Sequence, residues 1–585
     1  MKTLNQTILP MLTALATLLA ACSSDNVLDD ITTPTSGGTA SGTGSSTTGS
    51  LTSFTVGIDK TSAEPATTAD EQFPNADEDP LENNTFDTEV SIDLSNPVAK
   101  TENGVEVTVR DGHITANHGT TKQVCYVLSG STSNGSFTVV GEKKYEVRLE
   151  GVSITNPDSA ALNLLCSKRA YIVLGEGTTN TLADGTTSQN AHKGTLYCKG
   201  KLLMNGSGSL SVTANYNNGI HSADYIVFRT GNNVYVKSSA GHGIKANDGI
   251  YINGGILNVE VSAAAAKGIN CESHICVNGG RTTVITTGDG TYDSDEQEAK
   301  GAACIKADST FTIRGGELWL KSTGSGGKGI STDTESHFLG GSTYIITEGG
   351  QYKSYSDTAS PKGIKADGAL DIAGGRLWVR TSGTDGEGIE SKSTLSISGG
   401  ETAAYTYDDA INSKSHLTIS GGYVFAQGRN NDGIDANGNL YVQGGTVYAI
   451  CSGGAEVALD ANTEGGYKLY VQGGTIVAVG GLEQGSSLSQ SCYQGSWSAG
   501  TWYALTGGSE TFCFRTPTSG GSGLVISTAS TPSLTSGITV TGGTSYFGGL
   551  AVTGASISGG SSASLSSYSG GKTGGMGGPG GGRFF

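Results

Sequence analysis

The sequence predicts an all-β chain wound as a right-handed parallel β-helix, a solenoid of about 22–25 residues per coil, closed by a small C-terminal antiparallel β cap. Composition gives the first indication. Among 585 residues, 92 are Gly and only 15% are charged, so polarity rests on Ser, Thr, Asn and Gln. Gly and β-branched residues lose most in a helix and suit turns and short strands. Alternation gives the second: "VEVTVRDGHITAN" and "KYEVRLEGVSITN" change face at every residue, and no segment has the caps and length of an amphipathic helix. A repeat gives the third and decides the architecture. Copies such as "GIKANDGIYINGG", "GIESKSTLSISGG" and "GIDANGNLYVQGG" align on Ile220, Ile244, Ile269, Ile305, Ile330, Ile364, Ile389, Ile411 and Ile434. Their intervals are 24, 25, 36, 25, 34, 25, 22 and 23 residues, so two coils carry insertions of roughly ten residues. A propeller blade would need nearly twice the length, and the fixed leucine ladder of a leucine-rich repeat is absent.

The elements follow in chain order. Residues 1–21, "MKTLNQTILPMLTALATLLAA", form a secretory signal too short to span a membrane, and the residues before Cys22 resemble the lipobox of bacterial lipoproteins. That resemblance implies an outer membrane lipoprotein, facing the periplasm or the cell surface and held in lipid through acylated Cys22. Residues 22–84 lack apolar periodicity and are expected to be a flexible, lipidated tether, although their acidic second half could pad the first coil. Residues 85–480 are assigned to the β-helix, 481–565 to the cap and 566–585 to a glycine-rich tail. Nine cysteines follow Cys22. Cys271 and Cys276 are expected to be small buried side chains in strands rather than a zinc site, with Cys492 and Cys513 the best candidates for a disulfide.

Each coil should bury Ile434, Ala436, Leu440 and Val442 or their equivalents and turn Asp435, Tyr441 and Gln443 outward, with Gly444-Gly445 reversing the chain. Equal phase then becomes a surface map, because coils stack at about 4.8 Å. Two outward columns change sign together after Ile364. Beyond it, Glu387, Glu390, Asp408, Asp409, Asp432, Asp435 and Asp460 crowd one side. Like charges at that spacing repel, and a Ca²⁺ ion, which takes six to eight oxygen ligands, would offset them. The alternative is turn aspartates that satisfy local backbone donors. The loop "TYDSDEQEAKG", with Asp293, Asp295, Glu296 and Glu298, is a second candidate for calcium or simply a solvated loop. Before the sign change, Lys245, Lys306 and Lys365 form a row that could meet the carboxylates of a polyuronate, and exposed Trp319, Trp378 and Tyr441 could stack on sugar rings. The same lysines could equally keep a β-rich surface soluble.

A formal net charge of −18 repels nucleic acid and anionic lipid and leaves sugars, metal ions or cationic partners as ligands of a chain expected to be monomeric. With "YEVRLEGVSITNPDSAALNLL", "YIVLGEGTTNTLADGT" and the repeated "DGIxAxxxLxIxGG" units, residues 92–560 resemble a bacterial carbohydrate-binding β-helix family typified by a clostridial polygalacturonate-binding protein. The resemblance implies a pectate-lyase-like shape, calcium among the coils and affinity for acidic or cellulosic polysaccharide. The aspartate that precedes "GI" in that family is replaced here by Asn218, His242, Lys267 and Lys328 in the early coils. The expected function is therefore surface-anchored, calcium-dependent binding of acidic or plant cell-wall polysaccharide. A calcium-dependent pectate-like lyase, with Lys365 as base, and a non-catalytic adhesin are the alternatives.

Overall fold

The computed structural model describes residues 49–571 except 67–68, 356, 454–455 and 522. The signal segment, Cys22 and most of the glycine-rich tail lie outside the described residues. Within them the chain is a β-solenoid. Two sheets of sixteen strands and a third long sheet run along its length, each coil contributing one strand to each. In one coil the three strands are Ile434–Ala436, Leu440–Val442 and Thr446–Cys451. Ile434, Ala436, Leu440, Val442, Val447 and Ala449 point inward and are wholly buried. Gly445 makes the turn at φ 76°, a conformation that glycine adopts without steric cost.

Register fixes the stack. Ile389 lies opposite Ile411, Ile411 opposite Ile434 and Ile434 opposite Leu459, all in parallel pairing. Both long intervals are hairpins, Thr291–Asp293 with Glu298–Lys300 and Tyr352–Ser354 with Asp357–Ala359. They touch: the Ala299 amide donates to the Asp357 carboxylate at 2.6 Å, and the rings of Tyr292 and Tyr355 lie 5.0 Å apart.

Beyond the last coil, Leu524–Ser527 pairs antiparallel with Thr475–Val479, and Cys492–Gly495 pairs with both Leu524–Ser527 and Ser566–Tyr568. This closes the edge that a solenoid would otherwise leave unpaired. A six-stranded antiparallel sheet that includes Trp502–Thr506 and Phe512–Arg515 packs beside it around Tyr503, Phe512 and Phe514. The tail expected from residue 566 therefore begins later, since Tyr568 is buried in this pairing. Cys492 and Cys513 are free and buried, as are the other seven described cysteines, so the expected disulfide is absent.

The expected tether is described only from residue 49, and over those residues it lies against the solenoid, its acidic second half included. From Leu51 to about Asp87 the chain runs back along the outside of the solenoid as a strap. Leu51 and Phe54 are fully buried, with Phe54 6.0 Å from the rings of both Tyr344 and Trp378, and Arg380 donates to the Thr52 carbonyl at 2.8 Å. Further along, the Lys60 amine lies 3.3 Å over the Tyr235 ring, and Glu64 accepts the Gly231 amide at 2.9 Å. Arg229 pairs with Glu71 at 2.6 Å and Glu82 at 2.7 Å, and buried Asp79 accepts from Arg169 at 2.8 Å and from the Tyr225 hydroxyl at 2.6 Å. A segment without periodicity can still be ordered when a preformed surface supplies its partners.

Candidate functional site

Stacking brings together the acidic residues of the last coils. Asp435 and Asp460 sit in register on adjacent strands, both turned outward by the two-residue period. Asp432 enters the same coil two residues before Ile434, and its carboxylate accepts the Val457 amide of the next coil at 2.8 Å. One carboxylate oxygen from each of Asp432, Asp435 and Asp460 lies within 4.8 Å of the other two. Asp409 lies one coil away and accepts the Asp432 amide at 3.0 Å and the Asn412 side-chain amide at 3.1 Å. Burial, with the charges of Asp435 and Asp432, pushes the Asp409 carboxyl well above the ordinary carboxylate range. Burial and then the Asp432 charge push Asp460 up to about 10, with Glu483 adding a hydrogen bond. Hard oxygen donors that converge at this spacing are a chemical fit for Ca²⁺.

The other acidic candidates are placed differently. Glu387 and Glu390 both meet the buried amine of Lys362, at 2.8 and 2.7 Å, and Glu390 also pairs with Lys392. Burial opposes the Lys362 charge, but the two carboxylates raise its pKa above the ordinary lysine value. These glutamates thus already have lysine ammonium groups as counter-ions. Asp408 accepts from the Asn431 side chain of the next coil at 2.9 Å. In the inserted loop, Lys300 pairs with Asp293 at 2.8 Å and Glu296 at 2.6 Å, so an ammonium stands among those carboxylates.

The lysine row is likewise spoken for. Lys245 pairs with Glu272 at 2.8 Å, Lys306 with Asp308 at 2.9 Å and Asp333 at 2.6 Å, and Lys365 with Asp367 at 2.7 Å. In each case the acid stands two residues ahead in the same coil or just past the strand of the next. The neighbouring column is more buried. Burial and nearby lysines lower Lys267 to about 8 and Lys328 to about 7. Trp319 and Trp378 do point away from the lumen, as phase required, yet both are buried. Tyr344 of the next coil stacks on Trp319 at 4.1 Å, and Phe54 of the strap lies against Trp378, so they are not the exposed stacking platform expected from the sequence. Tyr441 remains partly exposed, stacked 4.9 Å from Tyr470, a neighbour that the next coil's "KLYVQGG" could have revealed by the same phase.

With this geometry established, comparison with known proteins places the chain. The carbohydrate-binding domain-containing protein family matches residues 110–263 and 233–410, just over half of the sequence. The chain belongs to this family. A curated relative from Acetivibrio thermocellus, described as a carbohydrate-binding domain-containing protein, is 30% identical over 164 residues, 26% of this chain and 55% of the relative. The chain thus spans about half the length of that relative. Among solved structures, one titled a polysaccharide lyase-like protein from C. thermocellum, a gadolinium derivative, covers 60% of this chain and 96% of its own at 17% identity and a TM-score of 0.26. The family-matched residues end at Ala410, so Asp432, Asp435 and Asp460 lie on coils beyond them.

Proposed function

We propose that this protein binds polysaccharide, and that it holds an acidic chain through Ca²⁺ carried by Asp432, Asp435 and Asp460, with Asp409 beside them. Family membership supports carbohydrate as the ligand class. The convergence of three carboxylate oxygens within 4.8 Å is the observation that carries the cation. When bound, the ion would neutralise these acids and present positive charge to a uronate carboxylate, something that the paired lysines cannot do. The chain's own residues position the site: Ile434 and Leu459 lock the register that brings Asp435 and Asp460 together, and the Asn412 side chain orients Asp409. Acylation of Cys22 would place this surface on the outer membrane, facing the periplasm or the exterior.

The test is retention of the full chain on immobilised polygalacturonate. Binding in Ca²⁺ that is released by EDTA, and lost in Asp435→Asn and Asp460→Asn, is the expected result. Retention that survives EDTA and both substitutions would refute the cation bridge. Unsaturated-uronate absorbance in the same mixture would reveal a lyase instead.

A further inference from the structure

The cap does more than close the solenoid. Between it and the last coils lies a cleft of about 370 Å³, floored by Tyr423, Thr446 and Thr475 and walled by the cap segment around Glu510. The floor residues begin successive strands of the third sheet and lie in register, Tyr423 opposite Thr446 and Thr446 opposite Thr475. At strand spacing they span roughly 10 Å, the length of two pyranose units. Earlier coils fill this column with charged pairs, Arg281 with Glu317 at 3.1 Å and Arg376 with Glu401 at 3.0 Å. Where the cap overhangs, the column changes to a tyrosine followed by two short hydroxyl side chains. Tyr423 is fixed from two sides: its ring stacks on Tyr546 at 3.8 Å, and its hydroxyl donates to Glu510 at 2.6 Å. Among the described residues, no Lys, Arg or His lines the cleft.

We propose that this cleft is a second carbohydrate site, independent of any cation, that takes a neutral saccharide chain. Hydroxyls of Thr446 and Thr475 can both donate to and accept from sugar hydroxyls, and an exposed carboxylate is a strong acceptor for them. With no neighbouring base, the Glu510 charge repels a uronate, so the cleft discriminates against the acidic polymer proposed for the aspartate site. A concave site with an aromatic body and a few placed polar groups is the usual form of a small-ligand pocket. The proposal shares with the preceding one only that both ligands are carbohydrates.

Titration calorimetry of the full chain with the hexasaccharides of β-1,4-glucan, β-1,4-xylan and β-1,4-mannan, each in EDTA, tests it. At least one is expected to bind with one-to-one stoichiometry. Glu510→Ala and Tyr423→Phe should each weaken that binding by about tenfold, the loss expected for a hydrogen bond to a charged group. Both variants should keep calcium-dependent retention on polygalacturonate, which also shows that they fold. Absence of binding by all three sugars, or equal affinity in wild type and Glu510→Ala, would overturn the neutral site and leave the aspartate site untouched. Loss of polygalacturonate retention in wild type, with neutral binding intact, would do the reverse.

Discussion

At Asp460 the electrostatics have a definite sign. Its carboxyl titrates near 3.8 in an unfolded chain and is pushed up to about 10 here. Between those values the native state holds a proton that the unfolded state has released, so this group's stabilising contribution is complete below pH about 4 and is lost as pH rises toward 10. In EDTA, Asp460→Asn should therefore be more stable than wild type at pH 8, by about 1–2 kcal/mol once partial exposure is allowed for, and the gap should narrow toward pH 5. Adding Ca²⁺ should raise the melting temperature of wild type and leave that of the variant nearly unchanged. A thermal-shift series across pH, with and without Ca²⁺, checks both. The lysines give a contrast at the same scale. Lys362→Met strands the half-buried Glu387 and the buried Glu390 and should cost about 3–5 kcal/mol, whereas Lys365→Ala, whose partner Asp367 is half-exposed, should cost less than about 1 kcal/mol. Chemical denaturation measures the difference. The acidic column was legible in the sequence because phase alone sets which residues stack. The fate of the lysines was not, since Glu272, Asp333 and Asp367 lie in turns whose path the repeat does not specify.

Among the elements, the coils and the strap were legible to opposite degrees. A coil announces itself through Ile434, Leu440 and Val442 at fixed phase, repeated many times. The strap has only Leu51, Phe54 and Val56 as apolar anchors near its start, and each finds its partners hundreds of residues away. Nothing local in "SLTSFTVG" marks Trp378 as its neighbour, so an outward tryptophan read as exposed. Its burial makes a sharp prediction. Phe54→Ala removes the ring that covers Tyr344 and Trp378 and should cost about 3–5 kcal/mol, in the range for deleting a buried phenylalanine side chain. Because Trp378 then meets water, tryptophan emission should shift to longer wavelength before global unfolding. Unchanged emission with lowered stability would mean that the strap is held elsewhere, by Arg229 and Asp79, and that the aromatic face stays covered.

For the whole molecule the strap changes how the solenoid should unfold. Coils that touch only their neighbours unfold as a nearly one-dimensional array, in which an end can fray without its far partner. Here the strap ties distant coils together, since Arg380 and Trp378 meet its start, Arg229 its middle and Arg169 its end. The cap secures the other end through Leu524–Ser527 on Thr475–Val479. Releasing an early coil therefore also breaks the Asp79 pairs and frees a segment that later coils hold. Wild type should accordingly lose structure in one steep denaturant transition by circular dichroism and by tryptophan emission. Removing residues 1–86 should separate the two signals, with circular dichroism falling first as the coils around Arg169 and Arg229 open, while the coils nearest the cap persist. Coincident transitions in the truncated chain would show that coil-to-coil packing alone couples the stack, and that the strap only covers the aromatic face.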